Sequence, residues 1–339
     1  MKNLFLLFLL GIFVSACSTA TSSTPSGLTS ITKNPIVQQP VSSSETSLIK
    51  PGQTAANNIP TLNPEIAAVP NFDHIVWIVL ENRSYSDVIG NVEFPYFNQL
   101  AKNNVLLTNY FAVSHPSLPN YIAMISGDTQ GITTDCKDCF LSKANLGDLI
   151  EASGRSWKSY QEDMPSPCFI GNASPYYQKH NPFIYFDSIR NNVKRCESSI
   201  VPISTLENDL LSGSLPNFAQ IIPNSCNSGH DCSDSISDNW LKNVIEKLQA
   251  SSALGSKSLI MVVFDEAKDQ QKENCCGLNS PGGGQVAAVL VSPLAKPAYM
   301  DAAPYSHYSL LKTILKSWNL PDLGNTSLET TQSVLNAWK

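Results

Sequence analysis

Four apolar runs in the region from residue 71 onward constrain the fold most strongly. They are Ile75–Leu80, Val105–Phe111, Leu259–Phe264 and Val286–Val291, of which the second contains the polar pair Thr108-Asn109. Apolar runs of this length are typical of strands that are buried on both faces of a sheet. Segments with helical periodicity lie between them, at Pro95–Lys102, Leu118–Ile125, Leu146–Ser153, Asp238–Ala250 and Ser306–Trp318. This alternation predicts an α/β fold, a three-layer α/β/α sandwich with a mostly parallel central sheet.

The first seventy residues differ in composition from the alternating region, and we expect them to lie outside the folded domain. Lys2 and the apolar run Leu4–Val14 have the pattern of a signal peptide, predicted to span residues 1–16. The stretch that follows is rich in Ser, Thr, Pro, Asn and Gln, which predicts a disordered linker up to residue 70. Residues 71–339 then form one globular domain, with a loop-rich insertion at about 129–201.

Cys17 directly follows small residues at the end of the first apolar run. The sequence Val14-Ser15-Ala16-Cys17 resembles the lipobox of bacterial lipoproteins, in which the cysteine carries the lipid. An ordinary signal peptide with a chance cysteine is the alternative. We therefore expect an exported protein. It would be a lipoprotein of the bacterial outer membrane or facing the periplasm, attached to the membrane through its lipid anchor only, or else a secreted protein.

Eight further cysteines support export, because an even number in an exported chain favours disulfide bonds. The spacing of Cys136 and Cys139 favours a local disulfide over a redox or zinc site. Cys275 and Cys276 are expected to pair with different partners, since a bridge between neighbours strains the backbone. The sequence leaves open the connectivity of the remaining four, which are Cys168, Cys196, Cys226 and Cys232.

The charge balance excludes one class of partner. The chain has a formal net charge of −6 and a pI near 5.4. Nucleic-acid binding proteins present a basic surface to the phosphate backbone, so we expect no nucleic-acid partner. The chain also has no apolar run of the roughly 20 residues that a transmembrane helix needs.

Polar residues follow three of the predicted strands at the point where each strand ends. Glu81-Asn82 follows the first run and Asp265-Glu266 the third, while the second leads into Ser114–Asn120. Sites in open α/β sheets gather beyond the carboxyl ends of the strands. Carboxylate and amide oxygens without sulfur select hard divalent cations. The sequence therefore predicts one divalent metal ion, whose identity it does not reveal.

Ser117 is the candidate nucleophile. It directly precedes the predicted helix that starts at Leu118, so we expect its side chain to cap that helix. The N–H groups of the helix terminus would then bind phosphate. A serine hydroxyl near a metal ion loses its proton more readily and can attack phosphorus. Spacing alone does not distinguish this role from a simple helix cap.

Four of the five histidines lie in polar loops and favour a common cluster. They are His115, His180, His230 and His307, and Asp231 lies beside the third. Imidazole has a pKa near neutrality, which suits it to protonate a leaving alcohol or to bind phosphate oxygens. The segment Pro281–Gly284 lacks the Lys-Ser/Thr of a phosphate loop and precedes a strand, so we interpret it as a turn.

A set of motifs resembles the bacterial and fungal phosphoesterase family of the alkaline phosphatase superfamily, which contains acid phosphatases and phospholipases C. The motifs run in order from about Asp73 to Leu320: IVWIVLENRSYSDVIGN, SHPSLPNYIAMISG, HNPF, GHDCSDSISDNWL, VVFDEA, GGGQVAAVLVSP and SHYSLLKTI. The resemblance implies an alkaline phosphatase-like α/β/α sandwich. It assigns the metal to Glu81, Asn82, Ser117, Asp265 and Glu266, with Ser117 as nucleophile. It also places His180, His230, Asp231 and His307 in the pocket, with His115 and Asn120 close by.

Two positions depart from the family pattern. Gln285 follows the glycines where arginine is frequent, which removes a phosphate-orienting role there. The pair Asp265-Glu266 replaces the Asp-His of two-zinc relatives, which favours a single metal ion.

These observations predict an exported, metal-dependent phosphoric ester hydrolase with a small phosphate ester as substrate. A phosphomonoesterase of acid-phosphatase type, acting through a phosphoserine, is our first interpretation. The alternatives are a phospholipase C-like phosphodiesterase acting on phospholipid and, in another class, a non-catalytic surface lipoprotein that uses the pocket for binding.

Overall fold

The chain is described by a computed structural model for residues 68–278 and 281–339. The predicted signal peptide, Cys17 and the linker up to residue 67 lie outside the described residues. Within the described part, no helix combines the length and the apolar character needed to cross a membrane.

The described residues contain one eight-stranded sheet and a separate two-stranded ribbon. The strands are β1 (His74–Leu80), β2 (Val105–Leu107), β3 (Tyr110–Phe111), β4 (Trp157–Gln161), β5 (Ile200–Pro202), β6 (Phe218–Ile222), β7 (Ser258–Phe264), β8 (Ala288–Val291), β9 (Tyr299–Asp301) and β10 (Tyr305–Ser306). The order in the large sheet is β5-β4-β6-β1-β7-β8-β2-β9, and β10 pairs with β3. All neighbours in the large sheet are parallel except β8, which is antiparallel to both β7 and β2.

Helices flank the sheet and cover its central strands. They are α1 (Tyr85–Val88), α2 (Pro95–Asn103), α3 (Ser117–Ser126), α4 (Leu146–Ala152), α5 (Asp187–Arg190), α6 (Val193–Ser199), α7 (Ser204–Leu211), α8 (Asp234–Ala250) and α9 (His307–Ser317). Short 3-10 turns occur at Gln178–His180, Pro182–Tyr185, Lys268–Gln270 and Gly324–Ser327. Helix α2 packs on α8 and α3 on α9. Because β1 and β7 are buried along almost their whole length, both faces of the sheet are covered. The predicted α/β fold with a mostly parallel sheet is confirmed.

Three segments differ in detail from the sequence prediction. The run Val105–Phe111 is interrupted after Leu107 by the polar residues Thr108 and Asn109, and its end becomes β3 in the small ribbon. In the run Val286–Val291 only Ala288–Val291 is strand, and it runs antiparallel. The stretch 129–201 is not merely loop: it supplies β4 and β5, two strands at one edge of the sheet.

All eight cysteines of the described residues form disulfide bonds, with partners 1 to 28 positions apart in sequence. The pairs are Cys136–Cys139, Cys168–Cys196, Cys226–Cys232 and Cys275–Cys276. The local bridge at Cys136–Cys139 is confirmed. The expectation that Cys275 and Cys276 take different partners is wrong, because the other six cysteines pair among themselves. Cys276 adopts a left-handed backbone, with φ +65°, which is the local distortion that the sequence argument weighed against such a bridge.

Candidate active site

Ser117 is the first residue of α3, and its hydroxyl lies between two carboxylates. The Oγ atom is 3.1 Å from Glu81 Oε2 and 3.2 Å from Glu266 Oε1. The side chain is buried among these groups. A hydroxyl has one proton to donate, and here two acceptors compete for it. The oxygen is therefore surrounded by groups that can take its proton.

The N-terminus of α3 differs from the sequence prediction. Pro116, rather than Ser117, occupies the N-cap position. The N–H of Leu118, which we expected to bind phosphate, donates instead to Asp135 Oδ1 at 3.0 Å. Because a carboxylate already satisfies this donor, the helix terminus offers no free N–H at Leu118 for a phosphate group.

The register of the sheet brings Glu81 and Asp265 together. Strands β1 and β7 are parallel neighbours with Leu80 opposite Phe264, so the next residue of each strand projects from the same edge. The backbone N–H of Asn82 donates to Asp265 Oδ1 at 2.9 Å, and its side-chain amide lies 3.3 Å from Glu81 Oε2. Asn82 has φ +54°, a left-handed conformation that asparagine tolerates better than most residues.

The carboxylates of the site are crowded and dehydrated. Glu81 and Asp265 are fully buried, and burial raises the pKa of both side chains. The negative charges of Glu81 and Glu266 raise the pKa of Asp265 further, while the positive charge of Lys179 opposes the rise at Glu81. Asp265 Oδ2 is buried and has no hydrogen-bond partner among the described residues. The site therefore concentrates negative charge in a dehydrated environment.

A divalent cation fits this cluster. The orphaned Oδ2 of Asp265 and the crowded carboxylates supply hard oxygen ligands, which magnesium-like and calcium-like ions prefer. The residues that would hold the ion are Glu81, Asn82, Ser117, Asp265 and Glu266. Glu81 also belongs to a second group with metal-binding geometry, in which its carboxylate, His180 and His230 offer ligand atoms within 4.8 Å of one another. The Oε2 atom of Glu81 faces Ser117 and its Oε1 atom faces His180.

His180 lies against the far side of Glu81. Its Nε2 atom is 3.3 Å from Glu81 Oε1, and the same oxygen accepts a hydrogen bond from the Tyr121 hydroxyl. The imidazole stacks on Tyr121 with ring centroids 5.4 Å apart. Burial lowers the pKa of His180 well below 6.5, and the positive charge of Lys179 lowers it further. His180 is therefore a neutral imidazole in this environment.

His230 occupies a loop closed by the Cys226–Cys232 disulfide. Its Nδ1 atom is 2.6 Å from Asp231 Oδ1. Its Nε2 atom is 3.3 Å from the Lys179 ammonium, and its ring centroid lies 5.8 Å from that of His180. The ring remains partly exposed, so it lies between the buried carboxylate cluster and solvent.

His115 contacts Glu266, the second of the two acidic residues that follow β7. Its Nδ1 atom bonds to Glu266 Oε2, and its Nε2 atom lies 2.6 Å from the Gln271 carbonyl. Burial lowers the pKa of His115, but these hydrogen bonds outweigh it and leave the pKa above 6.5. The ring therefore positions Glu266 and ties it to the loop after β7.

His307 is buried beneath the site with both ring nitrogens in use. Nε2 donates to the Asp265 carbonyl at 2.6 Å, which leaves Nδ1 to accept from the Tyr110 hydroxyl at 2.8 Å. Burial lowers the pKa of His307 to about 4. Unlike His230, this ring is fully buried, and its contacts on both sides hold it against the backbone of Asp265.

Asn120 shapes the loop before Ser117. Its Oδ1 atom accepts from the N–H groups of Val113 and Ser114, both at 3.0 Å, and its amide donates to Ser114 and Pro116 carbonyls at 2.7 and 3.1 Å. The side chain is fully buried. All four side-chain bonds thus go to the backbone of residues 113–116. Asn120 therefore positions the loop that leads to Ser117 and has no free group that faces a ligand.

The glycine segment after residue 281 packs against the same loop. A Cβ atom on Gly283 would lie 2.4 Å from the Ser114 carbonyl oxygen, so only glycine fits there. The N–H of Gly283 also donates to the Ala112 carbonyl at 3.1 Å. The segment therefore holds the backbone that leads to Ser117.

Sequence reasoning missed three residues of the site. Tyr121 follows Ser117 by four positions, which places the two on one helix face, and this spacing could have identified it. Lys179 directly precedes His180, within a stretch without helical or strand periodicity. Asp135 lies in a turn-rich segment, and no sequence signal connects it with the site.

The fold of the described residues is an α/β fold like that of alkaline phosphatase superfamily proteins. A protein of the alkaline phosphatase superfamily from Vibrio parahaemolyticus superposes with a TM-score of 0.52 at 13% identity, covering 79% of this chain and 74% of that one. A likeness at this identity shows the fold alone.

The sequence comparison is more specific. The model of the Phosphoesterase family matches residues 91–321, and the chain belongs to that family. The phosphate-repressible acid phosphatase of Penicillium chrysogenum is 34% identical over 266 residues, covering 75% of this chain and 60% of that protein. The phosphatidylinositol-3-phosphatase of Mycobacterium tuberculosis is 30% identical over 268 residues, covering 78% of this chain and 83% of the relative. The chain thus spans about 60% of the length of the fungal acid phosphatase it resembles.

Proposed function

We propose that the protein is a metal-dependent phosphomonoesterase of acid-phosphatase type that acts through a phosphoserine at Ser117. The observation that carries this proposal is the position of the Ser117 hydroxyl, 3.1 and 3.2 Å from carboxylate oxygens of Glu81 and Glu266. Family membership and relatives named as phosphatases support the reaction class.

In the proposed reaction Ser117 Oγ attacks the phosphorus of a phosphate ester. The Oγ–P bond forms while the bond from phosphorus to the alcohol oxygen breaks, and the Ser117 proton passes to a neighbouring carboxylate. Water then attacks the phosphoserine and releases inorganic phosphate with Ser117 regenerated. A divalent cation, when bound, would stabilise the serine alkoxide and offset charge on the phosphoryl oxygens.

His230 is the best placed of the histidines to protonate the leaving alcohol. Asp231 Oδ1 lies 2.6 Å from its Nδ1 atom and orients the ring, and the partial exposure of the ring allows proton exchange with water. His180 is fully enclosed beside Glu81 and its Nε2 atom makes no hydrogen bond within the described residues, so we assign it to packing against that carboxylate. His307 and His115 are assigned to positioning Asp265 and Glu266.

Ester preference tests the proposal directly. The full-length protein is assayed with p-nitrophenyl phosphate, with bis-p-nitrophenyl phosphate and with phosphatidylcholine. We expect the monoester to be turned over fastest, and acid quenching with a ³²P-labelled monoester to trap label on Ser117. Faster turnover of the diester or the phospholipid would indicate a phospholipase C-like enzyme instead. A protein that hydrolyses none of the three would be a binding lipoprotein.

The nucleophile is tested by Ser117→Ala, with Ser126→Ala in the same helix as control. Ser126 Oγ bonds to the carbonyls of Ile122 and Asp128, outside the cluster. We expect the first variant to lose about 10³-fold or more in kcat/KM with the fold intact, and the second to lose little. Wild-type rates in the first variant would refute the assignment.

We also propose export and lipid attachment at Cys17. The four disulfide bonds support an oxidising compartment. In a Gram-negative host we expect the wild type in the membrane fraction and Cys17→Ala in soluble form. A variant that still sediments with membranes would contradict lipid anchoring.

A further inference from the structure

Lys179 places a positive charge beside the carboxylate cluster, and the reaction described above does not use it. Its ammonium is 3.3 Å from His230 Nε2, and only 20% of its side chain is exposed. Burying a lysine to this extent is unfavourable without a partner for its charge. The Lys179 side chain therefore lies beside His230 without being fully enclosed.

A single carboxylate fixes this ammonium relative to the nucleophile. Asp135 accepts from Lys179 Nζ at 3.0 Å through Oδ2 and from the Leu118 N–H at 3.0 Å through Oδ1. Leu118 directly follows Ser117 in α3. The helix that carries the nucleophile and the turn that carries the lysine are therefore tied together by one side chain.

Arg83 shows what a purely structural cation looks like in this region. Its Nε atom donates to Asp234 Oδ1 at 2.7 Å and one terminal nitrogen donates to the Asn82 carbonyl at 2.9 Å. The first contact joins the loop after β1 to helix α8, and the second is to the carbonyl of the preceding residue. Lys179, in contrast, contacts a histidine ring in the site and has three N–H donors, of which Asp135 and His230 take two.

We propose that Lys179 binds the non-bridging oxygens of the substrate phosphoryl group and determines the preference for monoesters over diesters. The proposal rests on the function proposed above. The cluster contains three carboxylates, those of Glu81, Asp265 and Glu266, and a divalent cation would offset only two of their negative charges. The Lys179 ammonium offsets the third. A monoester brings two negative charges and a diester one, so loss of the ammonium disfavours the monoester more.

This binding mode also releases His230. When the ammonium turns from His230 Nε2 to a phosphoryl oxygen, that ring nitrogen becomes available to the leaving alcohol. Asp135 can keep its hydrogen bond to Lys179 during the exchange, because the lysine stem is flexible and its ammonium has several donors. No bond to phosphorus is made or broken by the lysine.

Replacement of the lysine tests the proposal with the full-length protein. Lys179→Met removes the charge and Lys179→Arg keeps it. Lys158→Met is the matched control, because Lys158 forms a comparable ion pair with Asp209 at 2.6 Å on strand β4, outside the site. The readouts are kcat/KM for p-nitrophenyl phosphate and its bis ester, competitive inhibition by inorganic phosphate, and the thermal midpoint of each variant.

We expect Lys179→Met to lower kcat/KM for the monoester about 10- to 100-fold and to weaken inhibition by phosphate by a similar factor. The diester should lose several-fold less. Lys179→Arg should retain most of the monoester preference, and Lys158→Met should behave as wild type. An equal loss for both esters, or an unchanged inhibition constant for phosphate, would overturn the proposal.

Two further measurements keep the test decisive. If Lys179→Met is less stable than the control, Lys179→Ala is assayed with added ethylammonium. The amine should restore monoester turnover selectively, and equal activity with and without it overturns the proposal.

If the wild type hydrolyses neither ester, the function proposed above fails. Titration calorimetry with inorganic phosphate then tests Lys179 separately: tighter binding by wild type than by Lys179→Met supports the phosphate site, and equal binding refutes it.

Discussion

Tyr121 and Glu81 are joined by a hydrogen bond from phenol to carboxylate, which links helix α3 to the end of strand β1. Because Ser117 lies one helical turn before Tyr121, the same helix delivers both hydroxyls to one carboxylate. Burial and the neighbouring carboxylates raise the pKa of Tyr121 well above 10, so the phenol stays a donor. The geometry of Glu81 thus depends on the helix that carries the nucleophile.

Removal of the Tyr121 hydroxyl is expected to misplace Glu81. Tyr121→Phe should lower kcat/KM for a phosphate monoester about tenfold, with a loss of about 1 kcal/mol in the free energy of unfolding. Tyr160→Phe is the matched control, since its hydroxyl donates to Asp209 Oδ2 at 2.6 Å away from the site. The control should show the stability loss without the kinetic one. Equal activities of the two variants would mean that this hydrogen bond has no part in the reaction.

Metal removal should destabilise the fold because it leaves buried like charges together. We expect chelation of the wild type to abolish activity and to lower the thermal midpoint, and one equivalent of a suitable divalent ion to restore both. Without metal, Asp265→Asn should melt above the wild type, because it removes one of the repelling carboxylates while keeping an acceptor for the Asn82 N–H.

Asp265→Asn should gain no thermal stability from added metal, and elemental analysis should find this variant metal-free. Asp301→Asn serves as control, because Asp301 is also buried but lies on the edge strand β9, three strands away from β7, where it accepts from Tyr305. Full activity of a metal-free wild type, or metal retained by Asp265→Asn, would contradict the assigned ligands.

The role of His230 can be read from its dependence on the leaving group. His230→Asn should lower turnover of an alkyl phosphate about 10²-fold or more, while p-nitrophenyl phosphate, whose leaving group needs no proton, should lose far less. His74→Asn is the control, since His74 bonds to the Pro216 carbonyl at the start of β1, at the opposite edge of the sheet. Parallel losses for the two esters would assign His230 to binding instead of proton transfer.

The disulfides should differ in their effect on stability. Cys168–Cys196 closes a loop across 28 positions, whereas Cys275 and Cys276 are adjacent. The chain-entropy relation gives about 3.6 kcal/mol for the first and about 1 kcal/mol for the second. Paired serine substitutions followed by urea unfolding measure both. A larger loss for the adjacent pair would show that its bridge organises the loop after β7, and peptide mapping would verify the bridge.

The sequence predicts the cluster of Glu81 and Asp265 because the sheet alone brings these two residues together. Glu81 and Asp265 each follow a long buried strand, and parallel neighbours end at the same edge. The histidines were less predictable. His180 and His307 both follow polar loop residues in sequence, but only side-chain contacts distinguish the ring beside Glu81 from the ring bonded on both sides.

Strands β4 and β5 escaped sequence analysis because they are short and carry no apolar run. Trp157–Gln161 includes Lys158, Ser159 and Gln161, polar residues that interrupt the apolar pattern of a buried strand. Asp135 and Lys179 escaped because their contact joins two segments without periodicity, across 44 residues. Such pairs depend on tertiary packing, which local patterns do not report.

Strand β1 lies between β6 and β7, whose residues come more than a hundred positions later in the chain. During synthesis, β1 therefore has neither sheet partner until most of the polypeptide has emerged, and pairing over such separations is slow. Glu81 cannot meet Asp265 on a chain that stops before β7. A product that stops before β7 would lack the carboxylate cluster, so assembly of the site reports that the polypeptide has been made through Glu266.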